Sequence, residues 1–269
     1  MKPPTKPGKQ SRELAAAIEA ALAGGEVVRR YHGGTFQISF KGEINLVTDA
    51  DRESERTIVS ILRRRVPGAA VLAEEGGEEK GTTNRRFLVD PLDGTTNFAH
   101  GYPCFAVSIG FEEAGEIRAG VVYDPLREEL FVAEKGGGAF LNGTRLQVSK
   151  TRELRHALLV TGFPYDLRDD LSGSLRLFKR FLGATRAIRR DGSAALDLCY
   201  VAAGRFDGFW EEKLGPWDTA AGSIIVTEAG GSVSDFSGSP FTCFGKEILA
   251  NNGALHDEML RVLASSDPR

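Results

Sequence analysis

The order of the predicted secondary-structure elements changes near residue 150, and this change limits the folds open to the 269-residue chain. Helical periodicity over 11–31 and 51–65 is followed by short β-branched or aromatic segments near 70–73, 87–90, 104–112, 116–124 and 128–133. Such segments, separated by turns, are typical of an antiparallel meander. Strand patterns at 157–161, 185–189, 206–210 and 247–250 then alternate with helical stretches at 171–182, 193–204, 217–229 and 254–264. The sequence therefore predicts an α/β (α+β) chain with two sheets interleaved with helices.

The same change divides the chain into predicted parts. Residues 1–10 are proline-rich and basic, and we expect a disordered tail there. Residues 11–150 are predicted to form an N-terminal α+β half with an antiparallel sheet, and residues 151–269 a C-terminal α/β half. A chain of this length and apolar content can build one large domain or two small ones around a real core.

Composition argues against several classes of protein. The chain has no apolar segment typical of a signal peptide and no apolar run long enough to cross a bilayer, so a soluble protein without membrane attachment is expected. Three scattered cysteines, Cys104, Cys199 and Cys243, are too few for a disulfide framework or a zinc site, which fits the reducing cytoplasm. The net charge of −3 and the short, separated arginine clusters give no case for direct nucleic-acid binding.

Residues 87–103 carry the clearest chemical pattern, because an apolar strand leads directly into two carboxylates, Asp90 and Asp93. No lysine or arginine stands beside them, and the intervening proline stiffens the turn. Carboxylates held in this way favour a hard divalent cation. The backbone N–H groups of Gly94 and Thr95, at a predicted helix start, would favour an anion. A cation and a phosphate could therefore meet in one loop.

This segment resembles the signature of the inositol monophosphatase family, whose members are metal-dependent, lithium-sensitive sugar phosphatases. Three further segments, at 41–51, 71–76 and 217–231, resemble the family in the same order along the chain. The resemblance extends over about residues 12–264. It implies a layered αβαβα sandwich of two sheets, with the site between the two halves.

Taken singly, each of the three segments also has an ordinary interpretation. Asp51 is a typical cap of a helix that follows a polar loop, and Asp218 is a typical helix N-cap. Adjacent glutamates such as Glu74 and Glu75 are usually solvated surface. Their common order is what favours the family.

The resemblance implies Mg²⁺ as the cofactor, with two or three ions in each site. Glu74, Asp90 and the carbonyl oxygen of Leu92 are expected around one ion. Asp90, Asp93 and Asp218 are expected around a second ion, with Asp90 bridging, and a weaker third ion is expected near Glu74. Magnesium would neutralise charge on both the phosphate and the departing oxygen.

The resemblance also implies the catalytic residues. Thr95, aligned by Asp51, is expected to orient the attacking water, which Glu74 also holds. Lys41 matches the lysine of the flexible loop of the family. Water would attack phosphorus in line with the departing sugar oxygen, so no covalent phosphoenzyme is needed.

The substrate is expected to contact residues from both halves of the chain. The implied substrate-binding residues are Asp93, Gly94, Thr95, Gly192, Ser193, Ala194, Glu211 and Asp218. Glu211 lies seven residues before Asp218, the spacing of the hydroxyl-binding glutamate in the family, but the neighbouring Glu212 leaves that assignment open. Asp191 departs from the small polar residue often found before the glycine, which leaves the exact sugar open.

Several functions stay open at this point. The favoured substrate is myo-inositol 1-phosphate, and fructose 1,6-bisphosphate or a related small metabolite is the alternative. In haloacid-dehalogenase phosphatases, too, an Asp-Gly-Thr sequence comes after a strand, and an aspartate is the nucleophile. Their signature has one residue between the two aspartates, whereas two residues separate Asp90 from Asp93. Bacterial members that resemble residues 190–197 are reported as partners of the transcription machinery, with or without phosphatase activity. A homodimer is expected from the resemblance.

Overall fold

A computed structural model gives the structure of the chain and describes residues 10–34, 38–41, 45–164 and 172–265, without the side chains of 38–41, 45 and 46. All but the last residue of the predicted tail at 1–10 lies outside these ranges. The helices are α1 Arg12–Tyr31, α2 Asp49–Arg65, α3 Thr95–Ala99, α4 Ser172–Ala184, α5 Ala194–Ala202, α6 Pro216–Glu228 and α7 His256–Ala264. A 3₁₀ turn lies at Leu154–His156.

The strands fall into a hairpin and two larger sheets. They are β1 Ile38–Lys41, β2 Asn45–Thr48, β3 Ala70–Ala73, β4 Gly77–Glu79, β5 Arg85–Asp93, β6 Ala106–Glu113, β7 Glu116–Asp124, β8 Glu129–Glu134, β9 Gly138–Leu141, β10 Thr144–Arg145, β11 Leu158–Thr161, β12 Ala187–Arg189, β13 Gly208–Glu212, β14 Ser232–Ser234 and β15 Glu247–Asn251. The larger sheet has the order β10-β9-β8-β7-β6-β5-β3-β4, and the smaller has the order β12-β11-β13-β15-β14. Strands β5 to β10 form an antiparallel meander, as predicted from the segments between 87 and 133. The segment at 70–73 was predicted to belong to it, but that prediction was wrong, because β3 pairs with β5 in parallel.

Helices separate and cover the two sheets. Helices α1 and α2 pack against each other and against strands β5 to β7, while α5 and α6 lie between the two sheets. Helices α4 and α7 pack together on the outer side of the smaller sheet, where Phe181 stacks on Trp210. The layers therefore follow the order αβαβα, and the predicted sandwich is confirmed. The division into halves at residue 150 stays a prediction, because α6 contacts strands of both sheets.

The polarity of each helix explains its layer. Apart from Asp197, the sequence of α5 is apolar on all sides, and every one of its residues is buried, as expected for a helix between two sheets. Helix α1 buries one face and is capped by Ser11, whose side chain accepts a hydrogen bond from the N–H of Leu14 at 3.1 Å. None of the helices in the described ranges is long and apolar enough to cross a membrane.

Two further local features differ from the sequence predictions. The predicted polar loop before α2 contains the hairpin of β1 and β2. Strand β5 does not end at Asp90 but continues to Asp93 through a β-bulge. Pro91 lies in this bulge, and because proline has no N–H to donate, the ladder to β6 is interrupted there.

Candidate active site

The bulge in β5 brings the two carboxylates of the central motif to one place. Asp90 pairs with Ser108 of β6 and Asp93 pairs with Ala106, so one extra residue is accommodated between them. The carboxylate of Asp90 accepts a hydrogen bond from the N–H of Leu92 at 2.9 Å, which fixes the turn. Gly94 follows with a φ of +91°, a backbone conformation that favours glycine, and α3 begins at the next residue.

Asp90, Asp93 and Asp218 form a compact acidic cluster. Each offers a carboxylate oxygen, and these oxygens lie within 4.8 Å of one another. Burial, and then the negative charge of Glu74, raises the pKa of Asp90 well above its usual range. Burial also raises the pKa of Asp93 to about 6, and burial followed by the charge of Asp93 raises the pKa of Asp218 to about 8. Such a cluster is stabilised by protons or by a cation.

The donor set fits a hard divalent cation. All the side chains of the cluster offer oxygen, and the raised pKa values of Asp90 and Asp218 indicate that the cluster holds a proton near neutral pH. A cation can replace that proton and relieve the repulsion at the same time. Glu74 follows β3 at the same cavity and is half-buried, but it does not belong to the close group of three.

Asp51 and Thr95 form a buried pair beside the cluster. The Thr95 hydroxyl lies 3.0 Å from Oδ1 of Asp51 and 3.0 Å from the carbonyl oxygen of Leu92. Oδ2 of Asp51 accepts hydrogen bonds from the N–H and the hydroxyl of Thr48, at 2.8 Å and 2.5 Å. Burial, opposed by these bonds, raises the pKa of Asp51 to about 6. Because a hydroxyl has one proton, donation to Asp51 leaves the Leu92 carbonyl available for a cation.

Residues at the start of α5 donate hydrogen bonds directly to Asp93. Oδ2 of Asp93 accepts hydrogen bonds from the hydroxyl of Ser193 at 2.5 Å and from the N–H of Ala195 at 2.8 Å. These donors lie at the positive end of the helix, so they stabilise the charged form of Asp93. The Gly192–Ala194 turn is therefore held next to the acidic cluster.

Glu211 and Glu212 differ clearly in the structure. Glu211 is buried, and burial, followed by the charge of Asp218, raises its pKa to about 8. The N–H of Gly162 donates a hydrogen bond to its carboxylate. Glu212 is half-buried and lies 3.4 Å from the hydroxyl of Ser174 on α4. Of the two, Glu211 is therefore the one that interacts with the acidic cluster.

One cavity of about 580 Å³ joins most of the predicted site residues. Its lining includes Glu74, Asp90, Leu92, Asp93, Gly94, Thr95, Gly192, Ser193, Ala194, Glu211 and Asp218. Asp51 lies behind Thr95 and does not line the cavity. Lys41 ends strand β1, but its side chain lies outside the described part of the structure. Arg190, Phe163 and Lys213 also line the cavity, and the Arg190 guanidinium lies 6.0 Å above the Phe163 ring.

The sequence of the chain matches the inositol monophosphatase family over residues 9–267. This chain belongs to the inositol monophosphatase family. It is similar to the inositol-1-monophosphatase of Synechocystis sp., with 46% identity over 98% of this chain and 93% of that relative. It is also similar to the Nus factor SuhB of Pseudomonas aeruginosa, with 47% identity over 89% of this chain and 91% of that relative.

A comparison with a solved structure supports the same fold. The extragenic suppressor protein suhB of Bartonella henselae superposes with a TM-score of 0.90 and 42% identity, over 96% of this chain and 100% of that chain. The family and the fold predicted from the sequence are therefore both confirmed.

Sequence reasoning missed Asn97, which connects α3 with the segment that precedes α5 in this inositol monophosphatase family site. The amide nitrogen of Asn97, on α3, lies 2.7 Å from the carbonyl oxygen of Cys104 and 2.8 Å from that of Asp191. It also lies 3.2 Å from the carbonyl oxygen of Gly192. Asn97 follows the Gly-Thr-Thr run directly, but nothing in the sequence shows that residues 191 and 192 approach it.

Proposed function

We propose that the protein is a Mg²⁺-dependent phosphomonoesterase that hydrolyses myo-inositol 1-phosphate to inositol and phosphate. The observation that carries this proposal is the acidic cluster of Asp90, Asp93 and Asp218 beside the Thr95–Asp51 pair, at the base of one cavity. The chain belongs to a phosphatase family, and a relative at 46% identity is named inositol-1-monophosphatase.

Glu74, Asp90, Asp93, Asp218 and the carbonyl oxygen of Leu92 are the groups proposed to hold two or three Mg²⁺ ions. When bound, Mg²⁺ would supply positive charge for the phosphate oxygens and for the departing oxygen. The oxygen-only donor set and the raised carboxyl pKa values support this cofactor. Asp90 stands at the centre of the proposed site, because the charges of Glu74, Asp93 and Asp218 all act on it.

Thr95 and Asp51 are proposed to orient the attacking water. Donation of the Thr95 proton to Asp51 leaves the lone pairs of the hydroxyl to accept a hydrogen bond from water. Glu74 would hold the same water and receive its proton. The N–H groups of Gly94 and Thr95 would bind the phosphate, and their positions do not change during the reaction, so they add stabilisation without reorganisation. Lys41 is proposed to approach from the β1–β2 hairpin.

The sugar is proposed to bind between the Gly192–Ala194 turn and Glu211. A buried carboxylate that accepts bonds from hydroxyl groups discriminates strongly in favour of a polyol, because an ester without hydroxyls leaves it unpaired. The burial of Glu211 and its N–H bond from Gly162 support this role. Fructose 1,6-bisphosphate is the second candidate substrate.

A panel of phosphate esters tests the proposal. Phosphate release from myo-inositol 1-phosphate, fructose 1,6-bisphosphate, histidinol phosphate, 3′-phosphoadenosine nucleotides and p-nitrophenyl phosphate would be measured with and without Mg²⁺. We expect the highest kcat/KM with inositol 1-phosphate. A higher value for fructose 1,6-bisphosphate would instead support the alternative. Release of no phosphate from any ester would contradict the proposed activity.

A second role, as a partner of the transcription machinery, is supported by the relatives that carry the name Nus factor SuhB. This role is compatible with phosphatase activity, because the two functions can use different surfaces. Capture of transcription proteins from a lysate by the purified chain, and not by an unrelated phosphatase, would test it. The family resemblance also carries the proposals of a homodimer and of a cytoplasmic location.

A further inference from the structure

Helix α2 presents three buried polar side chains to three different segments of the site. Asp51, Ser54 and Glu55 have the spacing i, i+3 and i+4, which places them on one face of the helix. Asp51 accepts a hydrogen bond from the hydroxyl of Thr95. The hydroxyl of Ser54 donates a hydrogen bond to the carbonyl oxygen of Pro91 at 3.0 Å. These two contacts hold the start of α3 and the β5 bulge.

The third side chain, Glu55, holds the turn that carries Glu74. Its Oε2 accepts a hydrogen bond from the N–H of Glu75 at 2.9 Å, and the N–H of Gly76 also donates to its carboxylate. Gly76 packs so closely that a Cβ there would lie 2.7 Å from Oε1 of Glu55. On the other side of the turn, the N–H of Glu74 donates to the carbonyl oxygen of Val89 in β5 at 3.1 Å. The backbone is therefore fixed on both sides of the Glu74 side chain.

The charge at Glu55 is costly for stability. The residue is 9% exposed, and the strongest charged neighbours acting on its carboxylate are Glu75 and Glu74, which are both negative. A buried carboxylate with negative neighbours destabilises the fold unless its hydrogen bonds offset the loss of hydration. The N–H groups of Glu75 and Gly76 supply these bonds, so the Glu55 carboxylate and the 74–76 turn stabilise each other.

We propose that Glu55 is a positioning residue for the metal site, which holds the 74–76 turn so that the Glu74 carboxylate is directed at the acidic cluster. This inference rests on the proposed function of Glu74 as a metal ligand and as a contact of the attacking water. Glu55 does not line the cavity and acts through the two backbone N–H groups that it binds. Groups that orient a metal ligand in this way affect metal affinity without touching the metal.

The test compares Glu55→Ala and Glu55→Gln with a matched control, Glu53→Gln. Glu53 lies on the same helix, but it pairs at the surface with Arg30 and with the hydroxyl of Tyr31, away from the site. Mg²⁺ binding would be measured by calorimetry and the Mg²⁺ requirement for phosphate release by titration. We expect Glu55→Ala to weaken Mg²⁺ binding roughly 10- to 100-fold. The Mg²⁺ affinity of Glu55→Gln should lie between those of the wild type and Glu55→Ala, because the amide oxygen keeps one acceptor. The Mg²⁺ affinity of Glu53→Gln should match that of the wild type.

Glu55→Gln decides the matter if Glu55→Ala does not fold. A Mg²⁺ affinity of Glu55→Gln equal to that of Glu53→Gln, in a protein that melts like the wild type, would overturn the positioning role. Failure of the proposed function is distinguishable from this result, since in that case the wild type itself would neither bind Mg²⁺ nor release phosphate.

Discussion

The side chain and the backbone of Thr95 have separate proposed roles in the site. Its hydroxyl is directed by Asp51, which is itself fixed by two donors from Thr48 at the start of α2. Its N–H group lies at the start of α3, and Thr95 lines the cavity together with Gly94. Substitution of the side chain can therefore separate water orientation from phosphate binding.

Thr95→Ala should lower kcat by at least ~10²-fold, the usual loss when a group that orients a proton transfer is removed. The KM for the phosphate ester should change little, because the N–H group survives the substitution. Thr95→Ser, which keeps the hydroxyl, should recover most of the activity. Steady-state kinetics check this. An unchanged kcat with a raised KM would make Thr95 a binding residue only.

Glu211→Gln should reduce kcat/KM for inositol 1-phosphate more than for p-nitrophenyl phosphate. Above its raised pKa of about 8, Glu211 is a charged acceptor of hydroxyl groups, and neutralising it should cost about 1–3 kcal/mol for inositol 1-phosphate at such a pH. An ester without these hydroxyls should lose nothing at this position. Glu212→Gln is the matched control, since Glu212 lines the same cavity but its carboxylate lies next to the hydroxyl of Ser174. Equal losses on both esters would show that Glu211 supports the metal site or the fold instead.

Helix α6 brings Asp218 to the cluster by packing very closely on the larger sheet. Gly110 of β6 and Gly120 of β7 are paired across the strands. A Cβ at Gly110 would lie 2.6 Å from the Cβ of Ala220, and one at Gly120 would lie 2.5 Å from the carbonyl oxygen of Ala221. The helix can therefore approach the sheet only because these positions have no side chain.

Gly120→Ala should destabilise the protein by about 1–3 kcal/mol, because the added methyl group meets the backbone of α6, which has no room to move. Unfolding by urea measures the loss. The control is Gly173→Ala in α4, where a Cβ has no neighbour within 4 Å among the residues that the structure describes, and it should cause no loss. Equal stability of the two variants would show that the glycine pair does not determine the packing of α6.

The elements were largely predictable from the sequence, whereas the contacts between them were not. The periodicity indicated α1, α2 and the meander, and the unpaired acidic residues indicated Asp90 and Asp93. Local patterns gave no sign that Pro91 lies in a bulge within β5, since the ladder depends on the partner strand β6. Asn97 was missed for a similar reason, because its acceptors Asp191 and Gly192 are distant in sequence.

At the scale of the whole molecule, the acidic site lowers the stability of the metal-free protein. Glu211 and Asp218 both have a pKa raised to about 8, and Asp93 has one raised to about 6, above their ordinary values of 4.5 and 3.8. A carboxyl whose pKa is raised by folding binds more protons in the folded than in the unfolded state. Folding stability is then lost as the pH rises from the ordinary pKa to the raised one.

The free energy of unfolding of the metal-free protein should therefore fall between about pH 4 and about pH 8. With saturating Mg²⁺ the fall should be much smaller, because the cation replaces the protons that the cluster loses. Urea unfolding at several pH values, in EDTA and in Mg²⁺, measures both curves. Asp93→Asn should flatten the EDTA curve. Two identical curves would show that the cluster is not a cation site.

Removal of the metal tests the central claim most directly. The wild-type protein would be dialysed against EDTA, and phosphate release from myo-inositol 1-phosphate would be followed before and after Mg²⁺ is restored. We predict no measurable release in EDTA and full recovery with Mg²⁺, with inhibition by Ca²⁺, whose looser and higher coordination disturbs the in-line geometry, and by Li⁺, as the family resemblance implies. Full activity in EDTA after dialysis would contradict the metal-dependent mechanism at this site.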